Sequence, residues 1–195
     1  MSSSAAVCVL VVRAFDRAYN LNLGISDQME LAYRGERLTP SACGRMDQAC
    51  AYGTGPILMT FDGDRTEIEE LTLGGDLYLI IVDLAGQKDT QTILQRLNAC
   101  YPNAQNDLQK GVQDYLGKIN ARLISEVIAA LRRGDTEALG GLTTLAQTEF
   151  DRYLIPACPE QLRSPRLHQL LAYEPIKPQI FGGKGRDVLG GGLGP

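Results

Sequence analysis

Glu36 to Gln48 reads E-R-L-T-P-S-A-C-G-R-M-D-Q, and its reading sets the layout of the whole chain. Two carboxylates, Glu36 and Asp47, sit eleven residues apart with the turn-prone run Thr39-Pro40-Ser41-Ala42-Cys43-Gly44 between them. Pro40 and Gly44 both disfavour a helix interior. The chain is therefore expected to leave a helix near Glu36, cross a loop and re-enter structure near Asp47. A negative charge at a helix end such as Glu36 opposes the helix dipole, whereas one at a helix start such as Asp47 is favoured by it. This layout brings two acids from different elements to the rim of one pocket. One is suited to hold a metal and the other to take a proton.

Upstream, Ser2, Ser3 and Ser4 precede an apolar run from Ala5 to Tyr19 that carries no charge before Arg13. Periodicity alone fits a buried strand or a buried helix, and a length of about fifteen residues favours helix. Serine is a preferred N-cap, and a helix that is apolar all round belongs inside a domain. The amides at such a helix start attract anions, most often phosphate, while three serines also serve as plain caps. Gly24 is expected to end this helix and Ser26 to cap the next, Asp27 to Glu36, with Met29, Ala32 and Tyr33 on one face.

Downstream, Pro56 to Phe61 and Thr66 to Leu73 read as strands joined by the turn Asp62-Gly63-Asp64. After Gly74-Gly75-Asp76, Leu77 to Leu84 (L-Y-L-I-I-V-D-L) is apolar enough to be a strand buried on both faces, completing an antiparallel meander. Beyond residue 85 to 90 the chain turns helical, over Gln91 to Cys100, Gln105 to Arg133, Thr136 to Tyr153 and Arg166 to Tyr173. Gly134 closes one helix and Asp135 caps the next. The fold class is α+β, strands and helices first, then mostly helix. The final stretch from Gly182, G-G-K-G-R-D-V-L-G-G-G-L-G-P, fits either a close backbone approach to an anion or a floppy terminus.

Composition narrows the function. The chain has 195 residues, 44% apolar and 22% charged, with a net charge of −4. That is an ordinary soluble globular chain without the basic run that tracks nucleic-acid backbones. Five cysteines with no C-x-x-C pair argue against a disulfide framework or a thiolate zinc site and for reduced thiols in the cytoplasm. The apolar run Ala5 to Val12 is too short to cross a bilayer and lacks the flanks of a signal peptide. His168 is the sole histidine, so a Ser-His-Asp hydrolase would depend on it entirely, and R-L-H-Q-L-L reads as an ordinary helix.

Taken together, these segments resemble the GHMP kinases (galactokinase, homoserine kinase, mevalonate kinase, phosphomevalonate kinase). S-S-S-A-A at Ser2 to Ala6 resembles the end of the family's second motif, the phosphate loop at a helix N-terminus. Glu36 followed by Asp47 in a Pro-Ser context is similar to the acid pair of mevalonate kinases, whereas Cys43 to Gln48 is similar to the Cys-Gly-x-Met-Asp-Gln of galactokinases. Val82 to Thr90 resembles the strand and Lys/Thr segment that follows. Phe181-Gly182-Gly183-Lys184-Gly185 resembles the start of the Gly-rich third motif.

The resemblance implies roles. Asp47 is the expected catalytic acid, positioning or deprotonating a substrate hydroxyl. Glu36 is the expected magnesium ligand together with a hydroxyl from Ser2, Ser3 or Ser4, Ser3 foremost. Ser2, Ser3, Ser4 and Ala5 are expected to bind the phosphates of ATP. The cofactors are ATP and Mg2+, and the partner is a small molecule, sugar-like or mevalonate-like, not nucleic acid or membrane. Residues 1–88 are expected to belong to the N-terminal ATP-binding domain and residues 89–195 to the C-terminal domain. Both are expected to be incomplete at the chain ends relative to the family. The alternative is a truncated, inactive fragment of such a kinase. A structural helical adaptor built on residues 90 to 173 is the remaining reading. An exposed apolar surface is expected over the meander and over the helix at Ala5 to Tyr19.

Overall fold

The structure, a computed structural model, describes residues 3–39, 44–53, 55–63, 65–86 and 88–185. These fall into two compact units that divide between Leu71 and Thr72.

The first unit contains α1 (Ser3–Tyr19), α2 (Ile25–Arg37), a 3₁₀ turn at Asp47–Tyr52, β1 (Ile57–Asp62) and β2 (Arg65–Glu70). The chain reverses after α1 through Asn20 and Asn22, both at positive φ, where the short amide side chain makes the left-handed region tolerable. Asp16 fixes the reversal by accepting a hydrogen bond from the Leu23 backbone at 3.0 Å. The cap of α2 is Gly24, not Ser26. Asp27 reaches back to the Gly24 N–H at 3.3 Å, while Ser26 lies inside the first turn with its hydroxyl 3.3 Å from that of Tyr52. A carboxylate at the third helical position can satisfy the free N–H at the helix start, which leaves Ser26 available for packing.

A small core forms where α1, α2, the 3₁₀ turn and the hairpin meet. Val9, Met29, Ala32 and Ala51 are buried, and Cys8, Val12, Met59 and Ile68 pack against them. The hairpin register explains the last two, because Met59 pairs directly with Ile68 and both face inward. On α1 only Ala5 and Val9 are buried. Val7, Leu10, Val11 and Phe15 are exposed, so this helix is not enclosed on all sides as its composition suggested.

The second unit holds α3 (Thr90–Asn98), α4 (Asp107–Asp114), α5 (Asn120–Arg133), α6 (Thr136–Tyr153), α7 (Pro159–Leu162) and α8 (Pro165–Leu171). A single π-helical turn, Tyr115–Ile119, joins α4 to α5, so the long helical run predicted over 105–133 is interrupted at that point. Asp89 caps α3, accepting from the amides of Gln91 and Thr92, and Asp135 caps α6, accepting from Ala138. Gly134 ends α5 at φ +68°, which a side chain would strain. Phe150 on α6 is buried and meets Tyr115 edge to face, with ring centroids 6.2 Å apart. Residues 181–185 lie against α6, with Gly183 N bonded to Thr144 Oγ1 and Gly185 N bonded to Gln147 Oε1. A Cβ on Gly182 would stand 1.8 Å from the Gly140 carbonyl, so glycine is required for that approach.

The strand expected at Leu77 to Leu84 is absent. Residues 76–86 have no regular secondary structure, and Tyr78, Leu79, Ile80 and Ile81 are exposed. The expected meander is therefore a two-stranded hairpin. A strand forms only when its backbone groups find a ladder, and no other described strand pairs with this segment.

Candidate functional site

The site grows from the end of α2. Glu36 lies in its last turn and is buried, with 3% of its surface exposed. A carboxylate there needs donors for both oxygens. Ser4 at the start of α1 donates its hydroxyl to Glu36 Oε1 at 2.7 Å, and Gln48 donates its side-chain amide to Oε2 at 2.7 Å. The N-terminus of α1 has no acid of its own in its first turn, so its positive dipole end is left to act on Glu36.

Gln48, which donates to Glu36, directly follows Asp47 in the chain. Asp47 starts the 3₁₀ turn and is half-buried. The chain just before it is fastened by Arg45, whose guanidinium sits 4.5 Å from the Tyr33 ring centroid and 3.1 Å from Glu30. Arg13 fastens the far end, donating to Gln28 Oε1 at 2.9 Å and to the Ala51 carbonyl. The thiol of Cys50 reports on the charges gathered here. Desolvation raises its pKa, Asp47 and Glu36 raise it further, and Arg13 pulls the other way.

The predicted residues are thus partly brought together. Ser4 and Glu36 are joined by a hydrogen bond, and Asp47 directly precedes Gln48, which bonds the same carboxylate. Ser3 stands at the first position of α1 and is exposed; the hydroxyl bonded to Glu36 is that of Ser4. Ala5 is fully buried, backbone included. Ser2 and the turn residues Pro40 to Cys43 lie outside the described residues. Sequence reasoning missed Gln48 and Arg13 as site residues. The signals were present, since Gln48 closes the quoted motif and Arg13 is the first charge in an otherwise apolar run. His168 lies on α8, exposed, 3.2 Å from Asp151.

An open cavity of about 600 Å3 lies elsewhere in this unit, between α2 and β2. Ser26, Met29, Glu30, Tyr33, Arg45 and Ile68 line it, and Ser4, Glu36 and Asp47 do not. The chemistry of the acid pair is therefore not in this hollow but at the junction of α1, α2 and the 3₁₀ turn.

Hard oxygen donors suit magnesium, which takes one or two carboxylates and leaves other positions to phosphate and water. The Glu36 carboxylate and Ser4 hydroxyl provide such a set, and Gln48 Oε1 beside them is buried without a hydrogen-bond partner among the described residues. The residues fit the ion. Among the described residues no group of three His, Cys, Asp or Glu side chains gathers into a metal cluster, and no helix is long and apolar enough to cross a membrane.

Residues 1–55, which contain this whole cluster, match the family described as GHMP kinases N terminal domain. The fold is similar to that of L. major mevalonate kinase, solved in complex with R-mevalonate, with a TM-score of 0.63 at 20% identity. That match covers 78% of this chain and 45% of the mevalonate kinase chain, so the present chain spans less than half the length of its structural neighbour. No curated protein matches the sequence significantly. The family match covers residues 1–55, and the likeness of fold extends over 78% of the chain.

Proposed function

We propose that this chain carries the phosphoryl-transfer centre of a small-molecule kinase that uses ATP and Mg2+ to phosphorylate a hydroxyl on a sugar-like or mevalonate-like metabolite. The observation that carries this reading is the bond from Ser4 to Glu36, with Gln48, the chain neighbour of Asp47, donating to the same carboxylate. A helix N-terminus, a hydroxyl and a buried acid meet there.

Each group has a task set by its chemistry. The backbone amides of Ser3 and Ser4 at the exposed start of α1 would bind phosphate oxygens, aided by the helix dipole. Ser4 and Glu36 hold Mg2+, which when bound neutralises charge on the phosphates. Asp47 would accept a hydrogen bond from the acceptor hydroxyl and take its proton as the oxygen attacks the γ-phosphorus, the bond to the β–γ bridging oxygen breaks and ADP leaves. Catalysis of this kind is mostly positioning and charge neutralisation, so the fastening of Asp47 through Arg45 and Gln48 is part of the mechanism. In this reading residues 1–88 belong to the N-terminal ATP-binding domain and residues 89–195 to the C-terminal domain. A cytoplasmic setting accompanies it, supported by the free thiols of Cys8, Cys50, Cys100 and Cys158.

The test is turnover of Mg-ATP against a panel of sugars and mevalonate, with the chain as it stands and with Asp47→Ala. Removing the proton acceptor should lower turnover at least ~100-fold while leaving nucleotide affinity within a few-fold. Ser4→Ala should instead weaken Mg-ATP binding in a titration with a fluorescent nucleotide. Equal turnover by the parent and Asp47→Ala removes Asp47 from the mechanism. Nucleotide binding without turnover by the parent on any acceptor favours the inactive reading.

A further inference from the structure

Residues 181–185 lie against α6 in the second unit, and side chains rather than backbone hold them there. Among the described residues no backbone-to-backbone hydrogen bond anchors this segment. The Gly183 N–H donates to Thr144 Oγ1 at 3.3 Å, and the Gly185 N–H donates to Gln147 Oε1 at 2.8 Å. Thr144 in turn donates to the Gly140 carbonyl at 3.2 Å. Gln147 is buried, and the other end of its amide donates to Asp151 Oδ1 at 2.8 Å. His168 on α8 places its Nε2 3.2 Å from Asp151 Oδ2. The row Gly185, Gln147, Asp151 and His168 therefore ties the segment to two helices. Donor and acceptor chemistry gives the row one direction. An ionised carboxylate only accepts and a backbone N–H only donates, so the Gln147 amide must turn Nε2 to Asp151 and Oε1 to Gly185. The fit beneath is close, since a Cβ on Gly140 would stand 2.3 Å from the Phe181 Cβ, and one on Gly183 would stand 2.5 Å from Leu171 Cδ2. Lys184 lays its ammonium 5.7 Å from the centroid of the buried Phe150 ring.

We propose that residues 181–185 are a latched strap, held closed over Phe150 by the row Gly185–Gln147–Asp151–His168, with Asp151 as the positioning residue that sets the Gln147 amide. A segment without a backbone ladder opens locally, at a free energy set by the few contacts that hold it. Here those contacts run through one buried amide. Gln147 presents its Oε1 to the strap because Asp151 holds its Nε2, and a buried donor left unpaired is costly. His168 meets the second carboxylate oxygen and so steadies the Asp151 side chain. Gly183 and Gly185 flank Lys184 on either side, so release frees the strap as one piece and bares Leu167, Leu171 and the Phe150 ring. All of these groups belong to the second unit, and the inference stands independently of the kinase reading.

Hydrogen exchange at the Gly183 and Gly185 amides, resolved by NMR on the whole chain, tests the latch by reversing the polarity of the row. Both amides should be protected in the parent. Gln147→Glu sets two carboxylates one helical turn apart on α6 and should lower the protection of both glycines at least ~10-fold. Adding Asp151→Asn replaces the repelling charge with an amide donor and leaves the second oxygen of the new carboxylate for Gly185. The double variant Q147E/D151N should regain protection to within about three-fold of the parent. Asp151→Asn alone should lower protection by no more than about three-fold, since an amide carbonyl still accepts from Gln147. Side chains that merely fill space would give additive losses and no rescue. The Phe150 amide reports on α6 itself and should not change. If Gln147→Glu unfolds α6, Asp151→Ala carries the test, with a loss of at least ~5-fold at Gly185. Parent glycines that exchange as fast as an unfolded chain overturn the proposal. So do unchanged protection in Gln147→Glu or Asp151→Ala, and failure of Asp151→Asn to restore Q147E. A loss at Gly185 that leaves Gly183 unmoved overturns it as well, because the segment then does not open as one strap.

Discussion

Residues 57–70 and residues 77–84 are both rich in strand-forming side chains, yet only the first is a sheet. The hairpin has its partner two residues away, because Asp62 pairs with Arg65 and the ladder closes from there to Ile57 and Glu70. One face then buries Met59 and Ile68 on the core of α1, α2 and the 3₁₀ turn. The segment at 77–84 is more apolar, but its strand partner is not local in sequence and no described strand supplies it. Strand propensity states what a segment tolerates; a ladder and a covered face decide whether it forms. The same contrast separates the two sides of α1, where Ala5 and Val9 are enclosed and Leu10 and Phe15 are not.

The comparison can be broken most sharply at the inward hairpin pair. Ile68→Ala should destabilise the first unit by about 2 kcal/mol, at the low end for an aliphatic truncation because Ile68 is only partly buried. Urea unfolding followed by circular dichroism measures it, and a cost below ~0.5 kcal/mol would mean that the hairpin is not anchored through this face. Next comes the turn. Gly63 sits at φ +56°, so Gly63→Val should cost about 1–2 kcal/mol by the same measurement, whereas Gly141→Ala on α6 should cost nothing or stabilise slightly.

A smaller effect is expected from acid beside the hairpin, where Glu30 lines the cavity between α2 and β2. Burial pushes the Glu30 pKa up, but hydrogen bonds and charge from Arg45 and Arg34 outweigh it and hold the group below its ordinary 4.5. A carboxyl with a depressed folded pKa contributes stability that is present above the unfolded value and lost as pH falls through the folded one. The melting temperature of the parent should therefore drop more between pH 6 and pH 3.5 than that of Glu30→Gln. Parallel curves for the two would show that the Arg45 contact adds no stability. The smallest effect belongs to the other region. Ile80→Ser should change the stability of the isolated chain by less than ~0.5 kcal/mol, since its side chain packs against little, while improving solubility. A loss comparable to that of Ile68→Ala would show that residues 77–84 are already enclosed.

Much of the candidate site was legible because its signals are local. Glu36 and Asp47 stand out by spacing and by a Pro/Gly-containing turn, and serines before an apolar run mark a helix start. Gln48 and Arg13 were not legible as site residues, since their roles depend on which carboxylate and which carbonyl the fold brings within reach. The choice of Ser4 over Ser3 as the partner of Glu36 has the same origin. It depends on the rotation of α1 about its axis, which the burial of Ala5 and Val9 fixes.

The sequence alone set most of the helices, the hairpin and the spacing of Glu36 and Asp47, though not the π-helical turn at Tyr115–Ile119 or α7. Caps such as Asp89 and Asp135, the turn at Gly63 and the periodicity of apolar residues act over a few positions and need no distant partner. Tertiary structure alone decided what became of Leu77 to Leu84 and of the outer face of α1, because burial and strand pairing are properties of two surfaces. It also decided that a serine, a glutamate and a glutamine from three separate elements share one buried carboxylate.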